Sequence, residues 1–241
     1  MALIRLDKLL AQSGERTRSE AARLMRAGCV SLDGVTVRDP ATKVDATRCD
    51  VRLNGQSVLD EPFQYYMLHK PAGILTAARD RHAATVMDLV PEALRRREVL
   101  PVGRLDKDTT GLLLLTNDGE LAHRLLSPKR HVWKTYLATV NGLLTPEDAA
   151  AFAQGMALSD FVAKPAELQI LTSAPDESCA RVRLSEGKFH QVKRMFAARG
   201  RDVVALHREA FGLLQLDVPV GEYRPLTGAE IAAMRAQAQD A

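Results

Sequence analysis

The chain has 241 residues, 46% of them hydrophobic and 26% charged, a composition that excludes a disordered, collagen-like or purely fibrous protein. Its formal net charge is +3, and residues 1–48 carry all of it, with nine Lys or Arg against six Asp or Glu, while the rest balances at 24 against 24. That asymmetry predicts a small module that meets a polyanion, joined to a larger body that is neutral overall.

No apolar run approaches the roughly 18 residues of a membrane helix, and Asp7 and Lys8 interrupt the start before a signal-peptide core forms, so a cytoplasmic protein is expected. Cys29, Cys49 and Cys179 are too few and too widely spaced for a disulfide scaffold or a zinc site. The first fifty residues read as helix, turn, helix, hairpin. Thr17-Arg18-Ser19-Glu20 fits a capping box, and the stripe Ala21, Leu24, Met25 runs to Gly28, exposing Arg18, Arg23 and Arg26 on the other face. Val30 and Leu32 lead into Asp33-Gly34, a two-residue hairpin turn, and Val35 and Val37 return. Asn54-Gly55 and Asp60-Glu61-Pro62 read as a linker, dividing the chain into domains 1–58 and 59–241.

From residue 63 the pattern is strand-rich. Tyr65-Tyr66-Met67-Leu68 is a short apolar strand that stops at Lys70-Pro71. Leu112 to Thr116 reads as a buried strand, with Asn117 or Asp118 capping a helix through Leu121, Leu125 and Leu126. Thr135 to Val140 and Ala180 to Leu184 have strand character, the second with arginines on one face. Phe189, Val192, Met195 and Phe196 repeat at helical spacing, and the stretch after Glu230 reads as an Ala- and Gln-rich tail. Strands and helices in no regular βαβ order predict α+β: a small helix-helix-hairpin module followed by a mixed, mainly antiparallel sheet with flanking helices.

The densest polar cluster in an apolar frame is Gly103-Arg104-Leu105-Asp106-Lys107-Asp108-Thr109-Thr110-Gly111. Such a run is either a turn or a catalytic carboxylate held by flanking strands. Asp106-x-Asp108-x-Thr110 has the outline of a Mg²⁺-dependent aspartyl-phosphate phosphatase, although the parallel βαβ rhythm of those enzymes is missing. There is no P-loop and no G-x-G-x-x-G, so no nucleotide cofactor is expected.

Two resemblances go further. Arg5-Leu6-Asp7-Lys8-Leu9-Leu10, Thr17-Arg18-Ser19-Glu20-Ala21 and Gly28-Cys29-Val30-Ser31-Leu32-Asp33-Gly34 resemble the αL RNA-binding motif of ribosomal protein S-four. The resemblance implies that Arg5, Lys8, Arg18, Arg23 and Arg26 meet folded RNA through phosphate and shape. Gly103-Arg104-Leu105-Asp106-x-x-Thr109-x-Gly111 with Leu112 to Gly119 resembles the signature of RsuA-type pseudouridine synthases. His69-Lys70-Pro71-Ala72-Gly73, Lys134-Thr135-Tyr136 and Glu186 to Met195 follow in the same family order.

That second resemblance implies conversion of a uridine in RNA to pseudouridine, with no cofactor and no metal, by a single chain acting on 16S rRNA or an assembling small subunit. It assigns Asp106 as the catalytic carboxylate, Tyr136 as the tyrosine against the flipped base, and Lys193 as the cation that favours the ionised form of Asp106. Arg104, Lys188 and Arg194 become RNA contacts, while His69 and His190 receive no catalytic role. A single-site 23S rRNA enzyme, the phosphatase and a non-catalytic rRNA-binding assembly factor remain as alternatives.

Overall fold

The computed structural model describes residues 3–12, 16–45, 49–58, 63–127 and 130–239. It divides into two compact units, one of Met1–Gln64 with Val90–Leu100 and the other of Tyr65–Leu89 with Pro101–Ala241.

In the first unit, helix α1 (Leu6–Gln12) is followed by α2 (Arg18–Arg26), then by a sheet of β1 (Val30–Leu32), β2 (Val35–Thr36), β3 (Val51–Leu53) and β4 (Gln56–Ser57) in the order β2-β1-β3-β4. The capping box forms as the sequence predicts: Glu20 N–H donates to Thr17 Oγ1 at 3.3 Å and Thr17 N–H donates to Glu20 Oε2 at 2.6 Å. Ala21 and Met25 from α2 are fully buried with Leu6, Leu10 and Val51, and each large side chain contributes about 1.5–3 kcal/mol of burial to a small core. Asp33 (φ 49°) and Gly34 (φ 82°) make the β1–β2 turn. Asn54 and Gly55 repeat it between β3 and β4, which corrects the linker reading: this pair closes a hairpin inside the module. Asp60-Glu61-Pro62 lies outside the described residues.

The second unit is built on one twisted sheet. Its strands are β5 (Tyr65–Lys70), β6 (Thr110–Thr116), β7 (Lys134–Asn141), β8 (Glu167–Thr172), β9 (Glu177–Leu184), β10 (Val203–Phe211) and β11 (Tyr223–Pro225). They lie in the order β8-β9-β7-β10-β6-β5-β11, antiparallel throughout except for the parallel pair β10–β6. Helices α3 (Gly119–Leu126), α4 (Pro146–Gln154), α5 (Gln191–Ala198) and α6 (Gly228–Gln239) flank it. This is the α+β arrangement expected, with no doubly wound order.

Asp118 caps α3 by accepting from Leu121 N–H at 3.0 Å, and Leu121 and Leu125 pack beneath it. The segment after Glu230 is not a featureless tail. It forms α6, which buries Met234 and Ala238 against Tyr65, Leu114 and Phe211, because its alanines are strong helix formers with two apolar contacts on one face. Phe189, expected on the buried face of a helix, precedes α5 and is 71% exposed. Where β6 meets β10, an added Cβ on Gly111 (φ 112°) would stand 2.3 Å from the carbonyl oxygen of Arg208, so only glycine allows this close strand approach.

Candidate active site

Asp106 sits in the loop that leads into β6, and that loop is pinned from several sides. The fully buried Lys70, at the end of β5, donates through Nζ to the carbonyls of Pro71, Lys107 and Thr109 at 2.9, 3.1 and 2.9 Å. Thr76 Oγ1 donates to Leu105 O at 2.8 Å and accepts from Leu105 N–H at 3.2 Å, and Gly73 N–H donates to Lys107 O at 2.8 Å. Three carbonyls turned onto one ammonium fix the loop's backbone, and burial pushes Lys70 down to about 8 against the opposing pull of Asp108 and Asp106. The sequence placed Lys70 at the end of a strand and inside a family motif, without giving it a role.

The Asp106 carboxylate stays one-quarter exposed, facing His190 Nε2 at 3.4 Å and Lys193 Nζ at 3.8 Å. Lys193, from α5, makes its hydrogen bonds elsewhere: Nζ donates to both oxygens of Asp108, at 2.6 and 2.7 Å. This hydrogen bond, ahead of its charge, holds Asp108 below the usual carboxylate range. His190 takes a left-handed backbone (φ 51°) at the start of α5 and stacks on Phe189 with ring centroids 3.8 Å apart.

These groups open on a cleft of about 730 Å³ lined by Arg104, Asp106, Lys134, Tyr136, His190 and Arg208 among others. Strand alternation explains the floor, since Lys134 and Tyr136 on β7 share a face with Arg208 on the neighbouring β10. Tyr136 is 9% exposed, and the Arg208 guanidinium lies 6.0 Å from its ring centre. Period-two spacing from Tyr136 was the signal that would have found Lys134, and the pairing of β7 with β10 is what brings in Arg208.

The residues expected to meet RNA are distributed over both units. In the first, Arg5 and Arg18 converge on Asp7 at 2.8 and 3.2 Å, Lys8 reaches Glu98 at 3.1 Å, and Arg23 and Arg26 are exposed on α2. Burial raises Asp7, and the hydrogen bonds from the two arginines overcome it, leaving the carboxyl below its ordinary value. In the second, Arg104 and Lys188 are exposed at the cleft, whereas Arg194 turns away to Ser159 and Asp160 and lies over the Phe161 ring.

The family model described as RNA pseudouridylate synthase matches residues 64–198, which hold the pinned loop, the cleft and α5. The chain belongs to the RNA pseudouridylate synthase family. An S4 domain model matches residues 4–48 of the same synthase. It is 43% identical over 231 residues to the uncharacterized RNA pseudouridine synthase YtzG of Bacillus subtilis, covering 95% of this chain and 97% of that one. It is 41% identical over 236 residues to ribosomal small subunit pseudouridine synthase A of Escherichia coli K12, covering 96% and 100% of the two chains. A crystal structure of a pseudouridylate synthase superposes with a TM-score of 0.67 at 38% identity, covering 96% of this chain and 99% of that one. The synthase is therefore an enzyme that isomerises uridine in RNA, and the phosphatase and assembly-factor readings fall away.

Proposed function

We propose that this synthase converts a uridine of small-subunit (16S) ribosomal RNA to pseudouridine, with residues 1–58 docking on the RNA and residues 59–241 carrying the chemistry. The observation that carries this target is the 41% identity, over the full length of the relative, to ribosomal small subunit pseudouridine synthase A of Escherichia coli.

The reaction breaks the N1–C1′ bond, turns the uracil ring and joins C5 to C1′. The uridine must first leave its stack, which costs a few kcal/mol and is offset by backbone and stacking contacts. Exposed Arg104 and Lys188 at the cleft suit the phosphates beside the flipped nucleotide. Asp106, on a loop that Lys70 and Thr76 keep from shifting, presents its carboxylate to the sugar, either as the group that traps C1′ or as the base that takes a sugar proton. Tyr136, which lines the cleft, is the residue assigned to lie against the base and take part in proton transfer at C5. Lys193 balances the charge of the Asp106–Asp108 pair. An isomerisation involves no net oxidation or group transfer, and all these residues come from one chain, so the reading needs neither a cofactor nor a second subunit.

The test is to map pseudouridine in ribosomal RNA from cells with and without the gene. Loss of one small-subunit site supports the reading, and loss confined to 23S rRNA replaces the target.

A further inference from the structure

The floor of the cleft carries two cations that the pinned loop and its carboxylates do not use. Lys134 is 6% exposed and Arg208 3% exposed. Among the described residues neither stands within ion-pair distance of a carboxylate. Arg208 Nε donates to Leu112 O at 2.7 Å, but its Nη2 is buried and has no hydrogen-bond partner. Around them are rings: Lys134 Nζ and the Arg208 guanidinium each lie 5.4 Å from the centre of Phe211, and Arg208 also borders Tyr136. The acid whose charge acts on Lys134, Glu186, is itself buried, and its Oε1 accepts from Lys164 N–H at 2.8 Å and from Gln191 Nε2 at 2.6 Å. Two like charges in apolar surroundings are costly unless an anion visits them. Burial, and then the charge of Arg208, push Lys134 down to about 8.

We propose that Lys134 and Arg208 form the site that stabilises the detached uracil ring as an anion. This rests on the isomerase reading above. When the N1–C1′ bond breaks, its electron pair leaves with the base, and the negative charge spreads over N1, O2 and O4. The ring turns, C5 returns the pair to C1′, the C5 proton is lost and N1 takes one up, so atoms and charge balance with no co-reactant. The charge exists on the base only while it is detached, so cations fixed in advance at the floor favour the transition state over bound uridine. A backbone phosphate fits the site poorly. Phosphates stay at the strand surface, where Arg104 and Lys188 are exposed, whereas a flipped base is the planar group that reaches a floor lined by Tyr136 and Phe211.

The experiment compares full-length wild type, Lys134→Met and Lys134→Arg in single-turnover assays at saturating RNA, using whichever ribosomal RNA fragment the wild type modifies. A wrong target then shows as wild-type inactivity on the small-subunit fragment, and the inference is judged only by the ratios between variants. Lys134→Met should lower the rate about 100-fold with RNA affinity and its salt dependence unchanged. With 5-fluorouridine at the target, whose base departs as a weaker base, that ratio should shrink by about tenfold, read as nucleotide consumed.

The wild-type rate should fall above about pH 8, where Lys134 and the loop-pinning Lys70 both lose a proton, and Lys134→Arg should make that fall shallower by removing the Lys134 share. The groups acting on the charge of Lys134 are Arg208 from β10 and Glu186 after β9, while Asp106, Tyr136, Lys188 and His190 share the cleft. Weaker RNA binding with a salt slope reduced by about one would make Lys134 a phosphate contact and overturn the proposal. Equal losses on both substrates would overturn it too. Should Lys134→Met fail to fold, Lys134→Gln takes its place, and equal losses on uridine and 5-fluorouridine in that variant reject the assignment.

Discussion

Lys193 Nζ lies 2.6 and 2.7 Å from the two carboxylate oxygens of Asp108 but 3.8 Å from Asp106, so its ammonium bridges two acids and grips the outer one. Removing the bridge leaves two carboxylates facing each other. Lys193→Met should therefore reduce single-turnover rate by about 100-fold or more, Lys193→Arg less, and Asp108→Asn by no more than about tenfold, since the ammonium is then left to Asp106 alone. A larger loss in Asp108→Asn than in Lys193→Met would make Asp108 the reacting carboxylate. Because the Lys193 bond lowers the Asp108 pKa, its contribution to stability is present above its ordinary value near 3.8 and is lost as pH falls below that. At 72% side-chain exposure it is well screened and small.

Asp106→Asn keeps the side-chain volume and removes the charge. Turnover should fall by about 1,000-fold or more while the dissociation constant for RNA changes by less than about threefold. Both are measured on one preparation, by pseudouridine content and by filter retention, and substantial residual activity would exclude Asp106 as the reacting group.

Gly111→Ala should unfold the catalytic unit more readily than most surface changes, by about 2–4 kcal/mol in chemical denaturation, because the new Cβ meets the Arg208 backbone at 2.3 Å and a φ of 112° strains any side chain. Gly187→Ala, where nothing lies within 4 Å of the added Cβ, is the control and should stay within about 0.5 kcal/mol. Similar midpoints for the two would show that the strands part easily at this point.

Arg224 joins Asp217 and Glu230 at 2.7 Å each, and Glu230 also closes a capping box with Thr227 at the start of α6. The Arg224 hydrogen bond, against burial, lowers Glu230 to about 2. A folded-state value below the unfolded one means full stabilisation above about 4.5, decaying as pH drops toward 2. Glu230→Gln should cost about 1–3 kcal/mol at pH 7 and less than about 0.5 kcal/mol at pH 2, followed by thermal unfolding across that range. A difference independent of pH would assign the effect to helix packing.

Local order in this protein was written locally. Thr17 with Glu20, Asp33-Gly34, Asp118 before α3 and the alternation of β7 and β9 are determined within a few residues of sequence, because capping, turn conformation and strand period act over that distance. The α+β class followed from those elements, and the family from the order of four motifs. Contacts between distant strands were decided only by the tertiary structure. Asn54-Gly55 carries the same turn signal whether it ends a module or closes a hairpin, and only the pairing of Val51–Leu53 with Gln56–Ser57 on one side and Val30–Leu32 on the other makes it the latter. Lys193 was readable as a cation near the signature loop, yet its choice of Asp108 over Asp106 depends on where α5 docks. Lys134 and Arg208 lie 74 positions apart, and the β7–β10 ladder alone places both under one cleft, where their burial without a carboxylate gives them a chemical role that neither strand shows by itself.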